Sequence, residues 1–164
     1  MSDKKFATLS VKGFDIKVEW WKDNAGNHVN VEFPPLRART ASNGRLVRLS
    51  MRDVCLAFPH YFRFADDGDG GTCLEYSEGG GFEQKAGCGR KIMVEEKSPR
   101  RVIIRIRGHE IRVAASADGV NCLALLLPKE SVDGVFTLHD LCLALPRKFG
   151  FDRRSNHTRI RCKR

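Results

Sequence analysis

"RLSMRDVCLAFPHYFRF", residues 48–64, and "VFTLHDLCLALPRKFGF", residues 135–151, are nearly one segment stated twice. At an offset of 87 residues they match at Asp53/Asp140, Cys55/Cys142, Leu56/Leu143, Ala57/Ala144, Pro59/Pro146, Phe62/Phe149 and Phe64/Phe151. In the first copy Met51, Val54, Cys55, Phe58 and Phe62 recur at helical spacing, and in the second Leu138, Leu141, Cys142, Leu145 and Phe149 do the same. Two amphipathic helices with an equivalent buried stripe are predicted. Ser50 and Thr137 can each accept a hydrogen bond from a first-turn N–H, and Asp53 and Asp140 reach back or favour the positive end of the helix dipole. Pro59 and Pro146 lack the N–H that would bond the i−4 carbonyl, so each helix is expected to stop or kink there.

Upstream, "VKGFDIKV" (11–18) parallels "IRGHEIRV" (106–113), now at an offset of 95. Leu9 and Val11, then Ile16 and Val18, alternate with polar neighbours on either side of a turn read at Gly13-Phe14; Val102, Ile104 and Ile106, then Ile111 and Val113, do so around Gly108-His109. A third strand follows each hairpin, with Val29, Val31 and Phe33 alternating after "KDNAGN" and "VNCLALLLP" following "ADG". A three-stranded meander with one apolar face needs a cover, and the helix supplies it. The expected fold class is α+β: a tandem duplication of a β-β-β-α module, with antiparallel sheets each covered by one helix. The modules are read as 1–64 and 100–164, the second ending in a basic C-terminal tail. Whether they pack together, for instance about a pseudo-twofold axis, is open at this level.

Between them, residues 65–99 hold eight of the chain's 15 glycines and read as a Gly-rich acidic linker, in which "RKIMVEE" could form an edge strand. "DDGDGG" resembles a calcium loop, but counting from Asp67 puts no glycine at the sixth position and counting from Asp66 loses the other ligands.

With 164 residues, 41% hydrophobic and 30% charged, the chain has globular composition and can bury a real core. No stretch approaches the roughly 18 consecutive apolar residues of a membrane span, and "MSDKKFATLS" has no apolar signal region, so no membrane partner and a cytoplasmic site are expected. The six cysteines, 55, 73, 88, 122, 142 and 162, form no C-x-x-C and no close Cys/His quartet, so reduced structural thiols and no metal or other cofactor are expected. The five histidines have no Ser, Cys or Asp at nucleophile-base spacing, and no phosphate-cradling glycine motif lies between a strand and a helix. A non-enzymatic role follows, with no catalytic residues.

Charge is segregated. Residues 1–64 carry 11 basic and 6 acidic side chains, 65–99 carry 4 and 8, and 100–164 carry 14 and 6, within a formal net of +9. Along "RRVIIRIRG", Arg101, Arg105 and Arg107 alternate with Val102, Ile104 and Ile106, and Arg112 joins them from the next strand. Lys12 and Lys17 hold the corresponding places in the first copy. Cross-turn pairs Lys12 with Asp15 and Arg107 with Glu110 are expected, yet they account for only two of these charges. The end "RKFGFDRRSNHTRIRCKR" has eight Lys or Arg against one acid, with Arg153, Arg154, Arg159 and Arg161 as candidate phosphate contacts. Of Trp20 and Trp21, adjacent on a strand, one must point off the apolar face and could stack on a base or a protein. Leu56 and Leu143 lie roughly 100° or more outside their helices' buried stripes, which hints at module packing or a homodimer.

"GHEIRV", "DG" and "VFTLHDLCLAL", with "SMRDVCLAF" in the first copy, resemble the Bro-N module of phage antirepressors and related viral regulators. The resemblance covers about 35 residues of each copy. It implies a phage or mobile-element regulator that binds nucleic acid, DNA in preference to RNA. The other reading is a small phage inhibitor, of anti-defence type, that docks on a host protein or nucleoprotein complex through Trp20, Trp21, Leu56 and Leu143.

Overall fold

The computed structural model describes residues 3–34, 39–83, 92–98, 100–116, 121–152 and 159–162. A first meander is made of β1 (Lys5–Val11), β2 (Phe14–Asp23) and β3 (Gly26–Glu32). After it come a short hairpin of β4 (Arg39–Thr40) and β5 (Leu46–Val47), then α1 (Met51–Tyr61). β6 (Phe62–Asp66) and β7 (Thr72–Tyr76) form a further hairpin, and β8 (Ile92–Ser98) leads into the second meander, β9 (Arg101–Ile106), β10 (His109–Ala115) and β11 (Cys122–Leu127). α2 (Leu138–Lys148) and the hairpin of β12 (Phe149–Asp152) and β13 (Arg159–Cys162) complete the order. The architecture is α+β and mostly antiparallel sheet.

The expected pair of sheets is a single sheet. Its strand order is β1-β2-β3-β11-β10-β9-β8, and the two meanders meet where β3 pairs antiparallel with β11, Val31 opposite Leu123 and Val29 opposite Leu125. The third strand of each meander would otherwise leave a bare hydrogen-bonding edge beside apolar side chains, and pairing the two edges removes both. The apolar faces thereby merge, and α1 and α2 lie against the same side of the sheet and against each other. Leu9, Ile16, Val18, Val29, Ile104, Ile106 and Ile111 from the sheet share one core with Met51, Val54, Phe58, Leu141 and Leu145 from the helices. Cys55 and Cys142, at equivalent positions, interact across the helix seam, and that contact together with burial pushes the Cys142 thiol up.

Both meander turns fall one residue earlier than expected. Val11 pairs with Phe14 and Ile106 with His109, so the turn residues are Lys12-Gly13 and Arg107-Gly108, with φ of 51°, 80°, 48° and 84°. Positive φ at both positions is a type I′ turn, whose twist matches the strands it joins. The inward set Leu9, Val11, Ile16 and Val18 is unchanged, and Phe14 joins it, 4% exposed.

α1 begins as expected: Ser50 Oγ accepts from Asp53 N at 3.1 Å and Ser50 N donates to Asp53 Oδ2 at 2.9 Å. α2 opens at Thr137 in the same way, with Thr137 N donating to Asp140 Oδ2 at 3.0 Å. Neither proline ends its helix; each lies inside, and the helix runs two residues further before Phe62 N and Phe149 N donate to Phe58 and Leu145 carbonyls. A proline removes one bond, and the fully buried Phe62 and Phe149 just beyond hold the last turn onto the core.

Residues 65–99 are not all linker. β7 pairs with β6, and β8 is the sheet's edge strand on β9, the place that "RKIMVEE" allowed. The "DDGDGG" turn is held by protein groups: Asp67 Oδ1 accepts from Asp69 N at 2.7 Å and Gly71 N at 2.9 Å, and Asp67 is ion-paired with Lys22, whose ammonium also donates to Thr72 O at 2.7 Å. Lys22 thus takes the charge-neutralising place that a calcium ion would need. Buried Asn27 ties β3 to the same hairpin, donating to Thr72 O and to Pro128 O, each at 2.8 Å.

The Lys22 ammonium holds the Asp67 carboxyl at about 2, well below its ordinary 3.8. A carboxylate depressed in the folded state contributes stability that is present above its unfolded pKa and lost as pH falls through the folded one. Melting temperature, followed by circular dichroism, is therefore expected to hold from neutrality to about pH 5 and to fall between about pH 4 and 2. Lys22→Met, which removes the partner, should flatten part of that fall; an unchanged acid limb would count against the linkage.

Candidate nucleic-acid interface

The sheet face away from the helices is built by the outward half of each strand's alternation. On its β8–β10 side stand Lys97, Arg101, Arg105 and Arg112 with two acids, Glu95 and Glu110; on its β2–β3 side Lys17 stands among Asp15, Glu19 and Glu32. The face is polarised, with cations in excess at one end and, at the other, three carboxylates against Lys17 and Lys4, the latter paired with Glu19 at 3.0 Å. Lys17 therefore does not extend the arginine row, because its cross-strand neighbour is Glu32. The acidic end is also felt by Cys122, whose thiol is pushed up by burial and then by Glu32 and Glu19.

Within the cationic half the arginines differ. Arg105 is ion-paired with Glu95 and reaches Glu110 at 3.5 Å, while Arg112 Nε lies 3.3 Å from Glu110 Oε2. Arg105 first and Lys97 next hold the Glu95 carboxyl at about 2. Arg101 is exposed and makes no ion pair with a described residue. Lys97, Arg101 and Arg112 rim a shallow groove of about 360 Å³ floored by Ile103, Ala114, Ala124 and Leu126, with His28 and Asn30 at its far side. Small side chains at 114 and 124, facing each other across β10 and β11, make the depression.

Two of the expected comb positions are elsewhere. Lys12 and Arg107 are turn residues at the ends of hairpins, off the sheet face. Lys12 pairs with Asp53 at 3.1 Å rather than with Asp15, and Glu110 is met by Arg105, its partner directly across β9–β10, rather than by Arg107. The basic tail is partly a hairpin: Arg159 and Arg161 belong to β13, paired with β12, and Arg153 and Arg154 lie outside the described residues.

Trp20 is buried, its ring 4.9 Å from Phe62 and 5.5 Å from Tyr76, so it offers no docking surface. Trp21 is the outward one, stacked on His28 at 4.7 Å with the Lys4 ammonium 4.6 Å from its ring centre. Leu56 and Leu143 are exposed as expected, at 43% and 44%. The sequence reading passed over Arg45 and Arg48, which with Lys12 line a second hollow between the β1–β2 turn and the β4–β5 hairpin. Its signal was there: residues 33–52 contain five arginines and no acid.

Among the described residues no group of three or more His, Cys, Asp or Glu is placed to hold a metal ion, and no helix is long and apolar enough to cross a membrane. No protein-family model, curated protein or solved structure matches the chain.

Proposed function

We propose that the protein is a non-enzymatic, cytoplasmic nucleic-acid-binding regulator of phage or mobile-element type, acting on DNA in preference to RNA. The carrying observation is the sheet face over β8–β10: Lys97, Arg101 and Arg112 rim an apolar groove, and with Arg105 the four cations there outnumber Glu95 and Glu110. Such a rim suits phosphate oxygens while the floor accepts sugar or base edges, and the acidic end disfavours any pose that slides across the sheet. Arg105 bridges Glu95 and Glu110, the same carboxylates that meet Lys97 at 2.7 Å and Arg112 at 3.3 Å, so Arg101 is the rim cation without a described ion-pair partner. The likeness of the two halves in motif and in mirrored strand order supports a tandem duplication whose modules share one sheet.

Arg101→Gln/Arg112→Gln is expected to lower the slope of log affinity against log salt by about 2, at about 0.9 for each phosphate left without its cation. A gel-shift series on random duplex and single-stranded DNA measures it. Absence of wild-type binding at low salt sinks the proposal.

A second reading is favoured by one observation. Leu56 and Leu143 sit at equivalent places on the solvent side of the α1–α2 layer, large and apolar without cover. A protein partner or a second copy of the chain docking there is the natural alternative, tested by Leu56→Asp/Leu143→Asp in a pull-down on host extract and in sedimentation.

A further inference from the structure

Among the described residues, a cluster of cations without an internal ion-pair partner lies off the sheet face. Arg45, Arg48 and Arg52 are exposed, and none forms an ion pair with a described residue. Arg45 and Arg48 open into the hollow of about 580 Å³ that Lys12 closes from the other side. The Asp53 carboxylate that pairs with Lys12 at 3.1 Å is already committed to starting α1, accepting from Ser50 N at 2.9 Å. No described residue therefore neutralises the two guanidiniums, whose mutual repulsion is relieved by an external anion.

The hairpin that carries Arg45 is well defined, and Arg48 follows it directly. Ala41 N donates to Arg45 O at 2.8 Å, Gly44 N to Ala41 O at 2.9 Å, and Arg45 N to Asn43 Oδ1 at 3.0 Å, with Gly44 at φ 80° supplying the left-handed residue of the turn. Arg45 thus projects from a tight, hydrogen-bonded loop. Beside it Leu46 is 64% exposed, the apolar contact that a sugar edge or a base accepts. The guanidinium of Arg45 on that loop, and that of Arg48 just beyond β5, match the bidentate geometry of phosphate better than lysines would.

We infer that the hollow between the β1–β2 turn and the β4–β5 hairpin is a second nucleic-acid phosphate site, with Arg45 and Arg48 as its contacts and Lys12 as its wall. The inference rests on the nucleic-acid reading above and adds a contact outside the sheet face.

The test uses the full chain, random duplex DNA as probe and a salt series, comparing wild type, Arg45→Gln/Arg48→Gln, Arg101→Gln/Arg112→Gln and Arg45→Lys/Arg48→Lys, each checked by thermal melt. The Arg45→Gln/Arg48→Gln protein should melt like wild type and lose about 2 from the salt slope, and Arg45→Lys/Arg48→Lys should retain the wild-type slope because each phosphate keeps a cation. A wild-type slope in Arg45→Gln/Arg48→Gln overturns this site, and if Arg101→Gln/Arg112→Gln still lowers the slope the wider reading stands. Weakened affinity at unchanged slope also overturns it, since the hairpin would then bind something other than phosphate. No binding by wild type at low salt overturns both.

Discussion

Phe62→Ala is expected to remove about 3–5 kcal/mol of stability. Phe62 is fully buried where α1 passes into β6, stacked on Phe58 at 4.6 Å, edge-on to Trp20 at 4.9 Å and tilted against Tyr76 at 5.2 Å. Its loss leaves a cavity walled by three rings that cannot collapse independently, because each is anchored in a different element. Against a total of about 5–15 kcal/mol, the variant should unfold at much lower denaturant concentration with its m-value nearly unchanged. A loss under about 1 kcal/mol would mean that the aromatic cluster does not hold the helix to the sheet.

Gly26→Ala comes next, at roughly 2–4 kcal/mol. Gly26 has φ +140°, and a Cβ there would stand 2.4 Å from the Leu127 carbonyl oxygen. Backbone atoms cannot swing aside as a side-chain tip can, so the ladder between β3 and β11 must open at its end, next to the Asn27–Leu127 pair. Gly108→Ala is the control: its φ is +84° but nothing lies within 4 Å of the added carbon, so it should cost only the left-handed penalty of about 1–2 kcal/mol. Equal losses in the two variants would show that conformation, not the carbonyl contact, governs Gly26.

Local pattern carried much of this fold. The stripes from Met51 to Phe62 and from Leu138 to Phe149 specify both helices, and the alternation around Lys12-Gly13 and Arg107-Gly108 specifies both hairpins, because each signal lies within a few residues of what it builds. The turns were misplaced by one position since a glycine-first reading assumes that only glycine adopts positive φ, whereas Lys12 and Arg107 do so too. The single sheet was not legible: nothing near Val29 or Leu125 says that they will face each other. The β6–β7 hairpin was hidden by its glycines and aspartates, and its anchors, Lys22 and Asn27, lie far upstream. At the site, the outward row of Arg101, Arg105 and Arg112 followed from parity alone. Their differing availability did not, because Glu95 arrives from the segment read as linker. Arg45 and Arg48 belong to an acid-free run of five arginines in residues 33–52, a signal that the charge total of residues 1–64 hides.

The ladder between β3 and β11 also governs how the chain reaches this state. Asn27 meets Leu127 and Glu32 meets Cys122, whereas every other rung of the large sheet joins near neighbours along the chain. Closing so long a loop withholds its reward until both meanders exist, so it belongs late in folding. Until then each meander presents an unpaired edge flanked by apolar side chains, and the complementary edge on another copy fits as well as the one on its own chain. The contact that makes the two halves one body is thus the contact at which crowded, half-folded chains can exchange partners.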